Sequence, residues 1–414
     1  MAITLEQLHD VVAKDAAIRR VQRLQPAGGL ADKIFPPTYP GEGQNAPARH
    51  VFETRRIDGA DVRCVLIDSV QSQANRLEEV LLRAMRDGRI GLPHVSVDFA
   101  GQKTKLTMDE SNGVVFGKGK EYDLMDLGAI TSLDAPHRIF DAIIRDSDLG
   151  GKPFSTSPLC DRLKAARPQS ALAVFEASPT ALLFGAWNST GEGGGLGAKF
   201  TRCIVSEVIG VNAADGQKTA IRIDPLGIRA DARVRGSVSD WEVASNVKGE
   251  KGTKRPSEIN HSNIMPDVAS GGVTIDYAVH TAVITCAGLR RLKFPAIEDE
   301  NAGRTVLAAL ALAALTLRDE AGYALRSRCD LVCEQSAPFE IVHPDGSVDR
   351  FEINAGGAVG RFREAVEAAK KAGFPWNEEP IRLVPQKRLV ELVALSRAKA
   401  LAGESEAEGD SEGA

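Results

Sequence analysis

An α+β fold is predicted by three observations. A continuous apolar run at Val62–Ile67 is followed at once by a helix-patterned segment; two further strand-like runs flank a long polar excursion; and a very apolar helix at Gly303–Arg318 precedes more short strands. Val62–Ile67 shows no alternation, as in a strand buried on both faces. In Ser69–Arg86, Val70, Ala74, Leu77, Leu81 and Met85 recur at helical spacing and share one face. Asp68 with Gln71 three residues on fits a capping box, which assigns Asp68 as the N-cap. Strands are expected at Val95–Phe99 and Val114–Phe116, and a helix after Pro136 through Ile139, Ile143 and Ile144. Cys203–Val211 reads as a strand with Thr219–Ile223 as its hairpin partner, and Val273–Thr285 alternates as a half-buried strand does. Leu331–Val332, Phe339–Val342 and Val348–Ile353 complete the strands, the last two joined by the turn Pro344-Asp345-Gly346, and Gly357–Ala372 and Gln386–Ala402 are helices. Stripped of insertions the order is β–α–β–β–α–β, the ferredoxin-like, RRM-type plan. The plan alone implies no function.

The organisation follows from composition. Residues 1–60 read as an N-terminal extension, because Met1–Arg23 is polar and amphipathic and 24–50 is rich in Pro, Gly and Ala. Residues 61–403 form the folded domain, with insertions at about 87–180 and 224–272; the latter is polar, and compact domains seldom carry such a segment without a functional reason. Residues 404–414 carry five acidic residues and no base and are expected to be disordered. The net charge of −5 therefore sits in that tail, and a formally neutral body is free to carry local basic patches. Aromatic residues make up only 5% of the chain, which argues against rows of stacking rings. No signal peptide is visible and the longest apolar run, Val306–Leu317, is too short for a bilayer, so a soluble, cytoplasmic protein is expected. Cys64, Cys203 and Cys286 lie in strand-like runs and read as reduced core thiols; Cys329 and Cys333 lack a second pair and read as ordinary thiols.

The sequence contains no HExxH, Walker A loop or nucleophile elbow, and the glycine-rich Gly191–Gly197 does not open a helix, so neither an enzyme nor a cofactor or metal is asked for. Three polar segments stand out instead. The first, at the start of the helix after Val62–Ile67, offers Ser69, Gln71, Gln73, Asn75 and Arg76 where free N–H groups already favour phosphate. The second runs from Gly185-Ala186-Trp187-Asn188 through a glycine loop to Lys199 and Arg202, which supply charge. The third, Lys248 to Asn263, sets Lys248, Lys251, Lys254 and Arg255 against Glu250 and continues with Asn260, His261 and Asn263.

The stretches DGADVRCVLIDSVQSQANRLEEVLL, FGAWNSTGEGGGLGAKFTRCIVSEVIGVN and KRPSEINHSNIMP together resemble the RAMP-superfamily backbone subunit of type I-G (formerly I-U) CRISPR Cascade complexes, over roughly Val51–Val332 and the C-terminal helices. The resemblance implies an RRM-like palm with a large fingers-like insertion, about 87–180, and a protruding thumb, about 224–272. It implies a non-catalytic subunit that stacks head-to-tail with copies of itself along the crRNA and presents it to target DNA, each thumb displacing one base. The implied partners are a fused guide-processing subunit, a large subunit and a helicase–nuclease that cuts the target. A protein that must accept any guide has to read the backbone and leave base edges free. The residues also admit two other readings. One is an RNA-cleaving RAMP subunit using Asp68 in the loop after the first strand. The other is a monomeric single-strand RNA-binding protein.

Overall fold

A computed structural model describes residues 3–41, 48–109, 113–188, 197–222, 224–229, 231–238, 240–244, 252–261 and 264–410. Helix and strand take 34% each and are segregated, so the fold is α+β. The chain divides into two units: residues 1–102, 123–214 and 273–389, and residues 103–122, 215–272 and 390–414.

The first unit is built on a curled antiparallel sheet. Its strands are β1 (Ala17–Pro26), β2 (Phe52–Ile57), β3 (Ala60–Asp68), β4 (Ile204–Val211), β5 (Tyr277–Thr285), β6 (Tyr323–Arg326), β7 (Cys329–Gln335), β8 (Phe339–Val342) and β9 (Val348–Phe351). They lie in the order β6-β7-β1-β5-β4-β3-β2, with β8 beside β1 and β9 beside β8. The register pairs Gln22 with His280 and Val208 with both His280 and Asp68. The longer helices of the same unit are α1 (Leu5–Lys14), α2 (Val70–Arg86), α3 (Glu300–Ala321) and α4 (Ala355–Lys371).

Ala17–Pro26 corrects the sequence reading, which left residues 1–60 outside the fold. It is a central strand, flanked by β5 and β7. Its side chains alternate as a strand requires, but the inward set is Ile18, Arg20, Gln22 and Leu24, and two polar residues on the buried face hide the pattern. Thr219–Ile223 is also corrected: Ala214–Arg222 pairs with Ile264–Thr274, not with β4. The run Val273–Thr285 is interrupted, its second part forming β5.

Helix α3 forms because Asp299 caps it through Asn301 N–H (3.1 Å) and because Ala and Leu fill its middle. Every residue from Ala302 to Arg318 is buried, the signature of a helix surrounded by protein. Gly303 is obligatory, since a Cβ there would sit 2.4 Å from the ring of Phe374. Phe374 is part of an aromatic cluster with Phe175, Phe294 and Trp376, ring centroids 4.9–5.7 Å apart. Ile381–Pro385, unanticipated, runs parallel to Val95–Asp98 in a second, five-stranded sheet.

In the second unit Lys103–Asp109, Gly113–Phe116 and Lys120–Asp123 form a three-stranded sheet. Leu106, Val114 and Tyr122 pack on Ala394, Leu395 and Ala398 of the last helix, α5 (Lys387–Asp410). The sequence reading ends that helix at Ala402; here it continues into the acidic segment that was expected to be disordered. Val234–Ser237 and Asp240–Val243 make a two-stranded ribbon. Among the described residues no helix is long and apolar enough to cross a membrane.

Candidate nucleic-acid interface

The start of α2 departs from the expected cap. Asp68 still pairs with Val208 in the sheet, so the helix begins one residue later and Ser69 is the N-cap, its Oγ accepting from Ser72 N–H at 3.3 Å. Asp68 is 4% exposed, and one of its carboxylate oxygens accepts from Gln73 Nε2 (2.5 Å) and Arg76 Nε (2.9 Å). Arg76 also donates to the Leu325 carbonyl at 2.6 Å. Gln73 is fully buried, and its amide oxygen takes a bond from Ser206. Gln71 and Asn75 are exposed, while Asp68, Ser69, Ser72 and Arg76 line a notch of about 210 Å³ that Arg326 and Tyr39 complete. Of the five candidates in this segment, Gln73 alone is removed from solvent.

Behind the notch runs a polar chain that sequence reasoning missed. Ser206 Oγ lies 2.6 Å from His280 Nε2, and His280 Nδ1 lies 2.9 Å from the Tyr323 hydroxyl. Tyr323 donates to Asp319 (2.7 Å), which also holds the Arg20 guanidinium through two bonds of 2.5 and 2.9 Å. Burial, and then the charges of Arg20 and Arg318, push the His280 pKa down to about 3, so the ring is neutral. Ser206 and His280 lie side by side but are 3% and 0% exposed, so no substrate reaches them and the pair is structural. The signal was present in the sequence as a histidine on the apolar face of an alternating strand.

The second segment forms a short ribbon in which Ala186–Trp187 pairs with Lys199–Phe200. Gly185 precedes it at φ +82°, and a Cβ there would press on Arg202 at 3.0 Å, so only glycine fits. Its carbonyl accepts from Arg138 (2.8 Å), whose guanidinium grips Glu78 of α2 through two bonds of 2.7 Å. Arg138 holds φ +53°, unfavourable for a long side chain, and these three bonds fix it there. Glu78 thus ties α2 to the ribbon. Burial pushes its carboxyl up to about 7, although Arg138 and Arg202 pull it down.

Arg202 is half-buried and donates Nε to the Phe184 carbonyl at 3.2 Å. Burial, then the charge of Arg138, hold its pKa below the ordinary arginine value. Among the described residues it has no carboxylate of its own. Lys199 is exposed, its Nζ 5.3 Å from the centroid of the Trp187 ring, and it too lacks a carboxylate among the described residues. Trp187 is 47% exposed. Lys199 and Arg202 thus put two cations with no ion pair among the described residues on one short segment, an arrangement that attracts phosphate.

The third segment belongs to the second unit. Lys254 pairs its backbone with Val234; Arg255 is exposed and donates its backbone N–H to Glu258 (2.9 Å). Asn260 is exposed in the left-handed conformation at φ 62°, and His261 packs edge-on against Trp241, centroids 5.7 Å apart. Asn263, Lys248, Lys251 and Glu250 lie outside the described residues. The structure therefore gathers the first two segments around α2 in one unit. Among the described residues there is no cluster of three or more His, Cys, Asp or Glu that could hold a metal ion.

Residues 18–215 match the family described as CRISPR-associated protein GSU0053. The match begins at the second residue of β1 and spans α2, the ribbon and β4, and it supports a CRISPR-associated protein. No curated protein matches the chain.

Proposed function

We propose that the chain is a non-catalytic, RNA-binding backbone subunit of a CRISPR interference complex, of the RAMP type found in type I-G Cascade. One observation carries the RNA reading: Lys199 and Arg202 stand without carboxylate partners among the described residues. By contrast Arg19, Arg20, Arg23, Arg76 and Arg138 each grip an acidic side chain. Cations with no ion pair of their own are what a sugar–phosphate backbone needs from a protein that must accept any sequence. The antiparallel order β7-β1-β5-β4, with α2 and α3 in the crossovers, supports an RRM-like palm. The thumb of this reading, about 224–272, falls within the second unit's 215–272 segment.

Asp68 supports the non-catalytic half of the proposal. A nuclease carboxylate must be free to hold a metal or a proton, whereas this one, though it borders the notch, is 4% exposed and already bonded to Gln73 and Arg76. The expected partners are crRNA, target DNA, further copies of the chain in a head-to-tail filament, a fused guide-processing subunit, a large subunit and a helicase–nuclease. A repeating contact along one RNA needs a heterologous, non-closing interface. The test is to express the chain with a CRISPR array, recover bound RNA, and incubate the complex with guide-complementary RNA and divalent metal. Co-purification of a short repeat-bearing RNA, with filaments in negative stain and no cleavage, is the expected result. Regular cleavage that disappears in Asp68→Asn would establish the nuclease reading instead, and RNA bound by single copies would establish a monomeric binder.

A further inference from the structure

We infer that the Trp187–Lys199 ribbon is a base-stacking platform, on which one nucleobase of single-stranded RNA lies against the indole while Lys199 holds an adjoining phosphate. This rests on the RNA-binding reading and adds to it a contact with a base face. Three observations carry it.

The first is exposure. A tryptophan is a large apolar surface that folding normally buries, and leaving it 47% exposed forgoes that gain unless another molecule covers it. The ribbon holds it there by design of the backbone: Trp187 is cross-strand partner to Lys199, and Gly185 and the Arg138 fork fix the entry to the ribbon.

The second is charge. Lys199 and Arg202 have no carboxylate among the described residues, and neither does Lys164, whose ammonium donates to the Ser155 carbonyl at 3.3 Å. Lys164 lines a cavity of about 180 Å³ together with Asn188, the residue after Trp187, with Asp141 and with Arg145, which pairs with Asp146. The indole thus has the Lys199 ammonium at its ring and Arg202 three residues further along the same segment. That suits a flat, π-faced ligand carrying phosphates better than an apolar peptide, which would gain nothing from the charges.

The third is compatibility with any guide. Stacking uses the face of a base, which all four bases share, and leaves hydrogen-bonding edges unread. A single such platform therefore adds affinity without adding sequence preference. It also answers the low aromatic content, since one ring per subunit suffices where copies repeat along the RNA.

The experiment uses the full chain with fluorescein-labelled 20-mers of uridine and of adenosine, and an abasic ribose-phosphate 20-mer of equal charge. Trp187→Leu is expected to weaken both base-bearing 20-mers by about 5- to 150-fold, the range for loss of one stacked base. Trp187→Phe should recover most of that loss. The abasic 20-mer should bind wild type and Trp187→Leu alike, and Lys199→Ala should weaken all three. Trp187 is half-exposed, so both variants should fold, which thermal melting checks. Wild-type RNA binding that Trp187→Leu leaves within twofold would overturn the platform and spare the RNA reading. Absence of wild-type binding to every 20-mer would overturn both.

Discussion

At the scale of single residues, the clearest consequence concerns Asp68. As a helix cap it would tolerate asparagine freely; as the shared acceptor of Gln73 and Arg76 it does not. Asp68→Ala leaves a mostly buried amide and guanidinium without their acceptor, a loss of about 1–3 kcal/mol. Asp68→Asn, which keeps an oxygen, should lose less. A urea midpoint measures both, and an unchanged midpoint in Asp68→Ala would refute the assignment. Two buried titrating groups set opposite pH slopes. His280 accepts a proton near 6.5 when unfolded but only near 3 when folded, because burial and the facing Arg20 and Arg318 oppose its charge. Ser206, Tyr323 and, through Tyr323, Asp319 complete its surroundings. Its contribution is therefore complete above pH 6.5 and is lost as pH falls from 6.5 toward 3. Glu78 is the reverse: its folded carboxyl titrates at about 7, above the unfolded 4.5, so its contribution is present below 4.5 and is lost as pH rises to 7. Melting temperatures across pH 3–8 should show both slopes, with Glu78→Gln removing the upper one and His280→Asn the lower. A Glu78→Gln profile that still falls between 4.5 and 7 would contradict this.

At the scale of elements, what could be read in advance followed from how uniformly each element is buried. Strand β3 and helix α3 are legible because their apolar runs are nearly continuous, and helix α2 because its apolar residues recur at helical spacing. Strand β1 is not, because Arg20 and Gln22 occupy its buried face and Arg19, Val21 and Arg23 its open one, so neither face reads as apolar. Those inward polar groups are affordable only because Asp319 and Tyr323 arrive from the far end of the chain, a contact no local pattern can reveal. The same blindness applies to the site. Lys199 and Arg202 were visible as isolated bases, but Glu78 and Arg138, sixty residues apart, show their pairing only in three dimensions. Trp187 belongs to the segment the sequence singles out, but its exposure has no signature there. A direct consequence follows for β1: a chain beginning at Phe52 should fail to fold, since it lacks the strand between β5 and β7. Soluble yield and far-ultraviolet circular dichroism report this. A folded product would mean that residues 1–51 are the dispensable extension that composition alone suggests.

At the scale of the whole molecule, the net charge of −5 and the proposed RNA partner are reconciled by distribution, with five of the acidic residues in the last eleven. Affinity should then depend on a few local cations and not on the total. Single-strand binding releases about 0.7 counterion per phosphate neutralised, so the logarithm of affinity falls linearly with the logarithm of salt. The most direct test is a titration of the full chain with two guide RNAs of unrelated sequence at a series of salt concentrations. The account predicts equal affinities for the two guides, a steep common slope, and a shallower slope in the Lys199→Ala, Arg202→Ala double variant. A flat salt dependence, or a strong preference for one guide, would contradict it.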